Sequence, residues 1–193
     1  MTITRGFLAV VLLVALVCSI SPGQTTNIMS RTGDFSITGA VWLSGDVYLK
    51  YYDVDITKNT GFLLRAFYDY YVVEKLSVGL YGNLAPTSWE GGDQTATIYE
   101  IGFSIKPRFP VADGAVAIKP GLNVGYRTIS SDFEQASKVN AMGLNASVEI
   151  QFSPSGVILP YMEIGFLAQP VGGNKYTDVT FPPIFYFGAG VSF

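Results

Sequence analysis

The last eleven residues of the chain alternate between two kinds of side chain. One parity is apolar throughout, and the other is mostly small or polar. The apolar positions are Pro183, Phe185, Phe187, Ala189, Val191 and Phe193. A period of two indicates a β-strand, because successive side chains of a strand point to opposite faces. One apolar face over about ten residues is typical of a strand that crosses a bilayer as part of a closed barrel.

The same alternation recurs in seven earlier segments. The first begins at Asp34, and its apolar parity continues to Tyr51, so we expect this strand to project beyond the membrane. The other six predicted strands are 61–72, 76–84, 99–106, 115–127, 142–152 and 157–168. Polar stretches at 53–60, 85–95, 128–138 and 169–182 are predicted long loops, and the connections at 73–75, 110–114 and 153–156 are predicted short turns.

Long and short connections therefore alternate along the chain. This arrangement is typical of outer-membrane barrels, which have short periplasmic turns and longer extracellular loops. The pattern predicts an all-β fold, an eight-stranded antiparallel up-and-down transmembrane β-barrel. A soluble eight-stranded ligand carrier would show the same period, with its apolar parity facing an internal cavity. The two ends of the chain favour the membrane version.

The first 23 residues have the three parts of a secretory signal peptide. Arg5 supplies a positive charge, residues 7–17 form an apolar run, and small residues at Ser21 and Gly23 suit cleavage. We therefore expect a signal peptide at 1–23, which is removed after export.

Two other interpretations of this segment remain open. A retained membrane anchor would need about 18 or more apolar residues, and this run is shorter. Lipoprotein processing at Cys18 would need a small residue where Val17 stands. The predicted mature chain has a short N-terminal segment at 24–33 and an outer-membrane β-barrel domain at 34–193.

Composition narrows the possible chemistry. The chain is 49% hydrophobic and 14% charged, which is a low charge content for a soluble domain. Cys18 is the only cysteine and there is no histidine, so we expect no disulfide and no thiolate metal site. Without the signal segment, 11 basic and 15 acidic side chains give a net charge of −4. This balance argues against a nucleic-acid partner.

Two stretches carry a family resemblance. The hairpin at 70–80, YYVVEKLSVGL, and the ending at 188–193, GAGVSF, resemble the eight-stranded outer-membrane barrels of the OmpA and OmpX type. The resemblance implies localisation in a bacterial outer membrane, in contact with its lipid and lipopolysaccharide. It also implies that Phe193, Val191 and Phe187 form an assembly signal for the outer-membrane assembly machinery. We expect a monomer.

Eight charged side chains share the parity that faces the predicted lumen. Arg65, Lys106, Lys119 and Arg127 are basic, and Asp69, Glu100, Glu149 and Glu163 are acidic. An eight-stranded barrel is just wide enough for side chains to fill it, so we expect a packed plug of ion pairs. The alternative is a porin-like channel for ions or small solutes, gated by Arg65, Lys119, Glu149 and Glu163.

Catalysis is not expected. The resemblance implies that enzymes among barrels of this size rely on histidine, the side chain whose charge changes near neutral pH, and this chain has none. We expect no cofactor, no metal and no catalytic residue. Four aromatic residues lie in or beside the long loops: Trp89, Phe133, Tyr176 and Phe181. They are candidate anchors for an extracellular ligand, and an aromatic belt at the membrane interface explains them equally well. The sequence thus predicts a structural and surface-interaction barrel, with the channel as the alternative.

Overall fold

The computed structural model describes residues 32–91, 93–112, 115–132, 137–152 and 157–193. The predicted signal peptide, Cys18 and most of the short N-terminal segment lie outside these residues, as does Phe133. The described chain is built from antiparallel strands.

The described residues form eleven strands in chain order. They are β1 (Gly33–Trp42), β2 (Gly45–Leu49), β3 (Val54–Lys58), β4 (Gly61–Val73), β5 (Leu76–Ser88), β6 (Thr95–Pro107), β7 (Phe109–Val111), β8 (Val116–Ser131), β9 (Val139–Phe152), β10 (Leu159–Gly173) and β11 (Val179–Ser192). A 3₁₀ turn, Lys50–Tyr52, joins β2 to β3.

Eight of these strands form a closed wall in the order β1, β4, β5, β6, β8, β9, β10 and β11. β1 closes the barrel by pairing with both β4 and β11, so that Ser36 lies opposite Ser192 and Trp42 opposite Tyr186. The predicted fold, a closed eight-stranded antiparallel barrel, is confirmed. Closure pairs both sides of each wall strand, which is the requirement for crossing a bilayer with strands.

The two ends of the barrel differ. At one end, which we call the turn end, β1 begins, β11 finishes and β4 joins β5 through Glu74 and Lys75. At the other, which we call the tip end, β2 and β3 form a hairpin beyond the wall, and β2 pairs with the start of β11 at Leu49 and Val179.

The predicted long loops are partly strand, which corrects the sequence interpretation. β5 continues to Ser88, β6 begins at Thr95, β8 continues to Ser131 and β10 reaches Gly173. The reason is that inward and outward positions continue to alternate, but the apolar residues change from the outward to the inward positions. We call this change the exchange of faces. Beyond the level of Tyr99, the outward positions are polar and the inward positions are apolar, so a search for an outward apolar parity ends too early.

The predicted continuous first strand is also wrong. The chain breaks its parity at Leu43 and Ser44, so Val47 and Leu49 are buried although they share a parity with the exposed Phe35. β11 makes the matching shift at Pro182 and Pro183, both of which are exposed. The polar stretch predicted as a loop at 53–60 contains β3, the second strand of the hairpin.

Candidate functional site

The barrel interior is divided into two parts along its axis. Towards the turn end, the inward side chains are charged or polar, and we call this region the charged storey. Towards the tip end they are apolar, and we call that region the cap. Inward residues of the eight wall strands supply the charged storey, and the cap combines inward residues of these strands with residues of the hairpin.

All eight charged residues expected in the lumen lie inside the barrel. Each is between 0% and 5% exposed: Arg65, Asp69, Glu100, Lys106, Lys119, Arg127, Glu149 and Glu163. A buried charge without a partner is very costly. The arrangement of their partners therefore decides what this region can do.

Two lysines and two carboxylates form the largest ion-pair cluster. Lys106 Nζ lies 3.0 Å from Asp69 Oδ2 and 2.6 Å from Glu149 Oε1. Lys119 Nζ lies 3.2 Å from the same Asp69 oxygen and 3.7 Å from Glu149 Oε2. Each carboxylate thus bridges both ammonium groups. Ser104 also donates a hydrogen bond to Asp69 at 3.2 Å.

A second cluster surrounds Glu100. Arg127 donates to Glu100 Oε2 from Nη2 at 2.8 Å and from Nε at 3.1 Å. Asn145 donates to Oε1 at 2.8 Å, and Tyr81 donates to the same oxygen. The neighbouring Gly143 makes room for this carboxylate, since a Cβ there would lie 2.1 Å from Glu100 Oε1.

The third cluster is the Arg65 and Glu163 pair. Tyr186 donates a hydrogen bond to Glu163 Oε1 at 2.8 Å, and Arg65 Nε donates to Asn83 Oδ1 at 3.1 Å. The Arg65 guanidinium also stacks on Tyr186, with its Cζ 4.8 Å from the ring centroid. The four residues proposed as a gate therefore belong to two clusters: Arg65 pairs with Glu163, and Lys119 with Asp69 and Glu149.

Sequence reasoning missed three interior charges. Asp34 is 1% exposed, receives a hydrogen bond from Tyr71 at 2.6 Å and lies 3.8 Å from Lys119 Nζ. Its parity, shared with Ser36 and Thr38, was the signal that could have identified it. Arg108 and Lys58, at 4% and 1% exposure, fell outside the predicted strands, so parity gave no prediction for them.

Several buried polar atoms of the charged storey have no hydrogen-bond partner among the residues that the structure describes. They include both amide atoms of Asn123 and Gln151 and the hydroxyl of Ser147. Buried groups of this kind are normally satisfied by ordered water. The charged storey is therefore chemically suited to hold water among its ion pairs.

The cap is an apolar core beyond the ion pairs. Trp42, Leu49, Leu63, Ile98, Ile129, Val139, Leu167, Val179 and Tyr186 are among its members, each at most 5% exposed. Trp42 packs against Phe181 with ring centroids 6.0 Å apart and donates to the Ile184 carbonyl at 3.3 Å. The hairpin supplies Val47 and Leu49 to this core, so it covers the barrel mouth.

Two of the aromatic residues proposed as exposed anchors belong to the cap instead. Trp89 is 8% exposed and Phe181 is 4% exposed. Trp89 continues the inward parity of β5, whereas Phe181 faces inwards because β11 shifts its parity at Pro182 and Pro183. The chain's two tryptophans, Trp42 and Trp89, consequently both report on the cap.

Lys58 lies within the cap. Its ammonium is 4.0 Å from the centroid of the Trp42 ring and donates to the Asn59 carbonyl at 2.6 Å. No carboxylate forms an ion pair with it among the described residues. Burial lowers the pKa of Lys58 to about 7, because an apolar environment disfavours the charged form.

A compact surface at the tip end joins the 3₁₀ turn Lys50–Tyr52 to the loop 174–178, and we call this surface the tip. The Lys50 amide donates to the Asp178 carbonyl at 3.0 Å, and its ammonium lies 3.2 Å from the Asp178 carboxylate. The Tyr51 amide donates to Thr177 Oγ1 at 3.1 Å. These contacts fix two loops that are far apart in sequence.

Three tyrosines project from the tip. Tyr51 is 76% exposed, Tyr52 43% and Tyr176 46%. The Tyr51 and Tyr52 rings meet edge to face with centroids 5.2 Å apart. Beside them lies a groove of about 500 Å³, whose lining includes Lys50, Asn174, Tyr176 and Asp178. Of the proposed aromatic anchors that lie within the described residues, Tyr176 is the one on this surface.

The outer surface carries an apolar band around the charged storey. Leu80, Ile101, Phe103, Leu122, Met162, Ile164, Phe185 and Phe187 are all at least 42% exposed. Tyrosines lie along both borders, with Tyr68 and Tyr70 near the turn end and Tyr99 and Tyr126 towards the tip end. Such borders match the aromatic girdles of transmembrane barrels.

The described ranges contain neither a candidate metal site nor a candidate membrane-spanning helix. No three or more His, Cys, Asp or Glu side chains there are grouped so as to hold a metal ion. The same ranges hold no helix with the length and hydropathy of a membrane span.

A closed eight-stranded barrel with an apolar outer band and an ion-paired interior defines the class of small transmembrane β-barrels. The crystal structure of Neisserial surface protein A matches with a TM-score of 0.56 over 84% of this chain and 96% of that chain, at 12% identity. This likeness shows the fold.

Two further solved structures are similar at lower scores. A major outer membrane protein from Thermus thermophilus has a TM-score of 0.48 and 12% identity, covering 84% of this chain and 100% of that one. Ail, the attachment invasion locus protein of Yersinia pestis, has a TM-score of 0.42 and 21% identity, covering 83% and 97%. No protein-family model and no curated protein matches the chain.

Proposed function

We propose that this protein is a bacterial outer-membrane barrel with a structural and surface-interaction role. The barrel anchors the chain in the membrane, and the tip presents tyrosines to an extracellular partner. The outer-membrane barrels among its structural neighbours and the apolar band support the location. We also propose that the N-terminal segment directs export. The assembly machinery then contacts Phe193, Val191 and Phe187. We propose a monomer in contact with lipid and lipopolysaccharide.

The tip carries the interaction role. Tyrosines are enriched in binding hot spots, because they offer a large contact area with few rotatable bonds. The hydrogen bonds between Lys50, Tyr51 and the 174–178 loop hold these rings in place before a partner arrives. Preorganisation of this kind lowers the entropic cost of binding.

The interior supports a structural role for the barrel itself. Each of the eight lumen charges is paired or bridged, and no histidine is available for proton transfer at neutral pH. The porin-like alternative would require solutes to pass the cap, whose side chains leave little exposed surface. We therefore propose a barrel that neither catalyses a reaction nor conducts.

The interaction role is tested by removing the tyrosines. Cells displaying the protein would be applied to surfaces coated with basement-membrane extract or with mucin. The triple variant Tyr51→Ser, Tyr52→Ser, Tyr176→Ser should reduce the number of bound cells by about tenfold, as expected for loss of a hot spot. Glu90→Gln, at another connection of the tip end, is the control and should bind as the unaltered protein does.

Equal binding by the triple variant would refute the tip as the interaction surface. Folding of every variant is checked by the different gel mobility of heated and unheated samples. This shift is expected because the resemblance implies a barrel that resists detergent at room temperature.

A further inference from the structure

The apolar band contains a groove with features of a binding site. It crosses the outer face of β4, β5, β6 and β8 and has a volume of about 490 Å³. Ala66 and Gly82, which are direct partners across β4 and β5, form its floor. Its walls include Leu64, Leu84, Tyr99 and Tyr126.

The floor of the groove is open because position 82 lacks a side chain. A Cβ at Gly82 would have one neighbour, the Glu100 carbonyl oxygen at 3.6 Å, which is an ordinary contact distance. By contrast, a Cβ at Gly79 or Gly125 would come within 2.2 or 2.5 Å of other atoms. Barrel packing therefore requires glycine at those two positions but not at Gly82. A larger residue there would fill the groove without disturbing the wall.

The surroundings of the groove indicate the chemistry of its ligand. The walls are mainly aliphatic and aromatic, although Asn83 and Glu100 also belong to the lining, and the groove opens into the band that faces lipid. At the tip-end rim, the surface turns polar but not charged: Tyr126 donates a hydrogen bond to Asn140 at 2.6 Å, and Thr128 lies beside them. Among the described residues that line the groove, none is lysine or arginine.

We propose that this groove holds one acyl chain of a zwitterionic phospholipid, with the headgroup at the rim formed by Tyr126, Thr128 and Asn140. The apolar walls match a hydrocarbon chain, and hydroxyl and amide groups match a headgroup of no net charge. A lipid with two phosphates would require cations at the rim. The inference rests on the proposed membrane location, since only there is the groove in contact with lipid.

Retention of lipid by the purified protein tests the proposal. The chain would be inserted into vesicles that contain phosphatidylethanolamine, phosphatidylglycerol and lipid A, extracted in mild detergent and analysed by native mass spectrometry. We expect one retained phosphatidylethanolamine per chain. Gly82→Leu should lower the retained fraction by about tenfold, the change expected for a loss of roughly 1.4 kcal/mol of binding free energy.

The control is Ala146→Leu, which adds the same side chain to the outer face on β9, away from the groove. It should retain lipid as the unaltered chain does. Equal retention by Gly82→Leu, equal loss in both variants, or preferential retention of phosphatidylglycerol or lipid A would overturn the proposal. A chain that does not insert into vesicles would refute the membrane location as well, whereas insertion without lipid retention would refute the groove alone.

Discussion

Lys58 places a titratable cation inside an apolar core. Its pKa of about 7 compares with 10.5 for an unburied lysine. Between these two values the unfolded chain holds a proton that the folded chain has released, so the free energy of unfolding rises with pH across this window. Below about pH 7 both states are protonated and the full cost of burying the charge is present.

Lys58→Met should remove this part of the pH dependence. We expect the variant to be more stable than the unaltered protein at pH 7 and below by roughly 2 kcal/mol, after discounting for partial solvent access. The difference should shrink as the pH rises towards about 10. Urea unfolding in lipid vesicles, followed by the fluorescence of Trp42 and Trp89, measures it. Lys75→Met at the exposed turn is the control, and a pH-independent difference for Lys58→Met would contradict the prediction.

Asp69 is one of the two carboxylates that Lys106 and Lys119 share. Asp69→Asn leaves Lys106 and Lys119 buried with less compensating charge, and breaking a buried ion pair typically costs about 3–5 kcal/mol. The same substitution at Asp178, whose pair with Lys50 is 56% and 70% exposed, should cost under about 1 kcal/mol. The urea unfolding assay compares the two, and similar losses would show that the ion-pair cluster does not stabilise the barrel.

The sequence could place these charges inside but could not pair them. Parity alone directs Lys119 and Glu149 inwards, and they are direct neighbours across β8 and β9. Glu149 is also opposite Glu163, a like-charge pair that is relieved because each carboxylate turns to a different cation. Asp69 reaches Lys106 across Gly79 on the strand between them. Such contacts depend on barrel register, which a single sequence does not specify.

At the scale of the strand, the exchange of faces is the main feature that the sequence interpretation lacked. The strand period continues without interruption in β6, while the outward residues change from apolar below Tyr99 to polar above it. Lipid surrounds the first part, and water surrounds the second. The eight-strand order was predictable because each lipid-facing segment is uniformly apolar, whereas the extensions resemble loops to any search for that pattern.

Two neighbouring positions on β6 test this exchange. Ile98 is 5% exposed in the cap, so Ile98→Thr should destabilise the protein by about 2–3 kcal/mol through lost apolar burial and a buried hydroxyl. Thr97 faces outwards, so Thr97→Val should change stability by less than about 0.5 kcal/mol. Unfolding titrations of the two variants give the comparison. Similar small effects would indicate that 95–98 behaves as a loop.

At the scale of the whole molecule, the interior combines a polar region with an apolar closure. The charged storey alone would suit a narrow water-filled path, and that is why sequence reasoning left the channel open. The cap was not anticipated, because several of its members lie in segments that were predicted to be loops and others face inwards through the parity breaks at Leu43 and at Pro182. Its members come from β1, β2, β4, β5, β6, β8, β9, β10 and β11, together with Trp89.

The central claim is that the cap seals the barrel, and planar-bilayer conductance of the refolded chain tests it most directly. A sealed barrel gives no discrete current steps from a sample whose gel mobility shows it to be folded. Reproducible steps from the unaltered protein, changed by Glu149→Gln or Lys119→Met, would contradict it. That result would make the charged storey part of a conducting path.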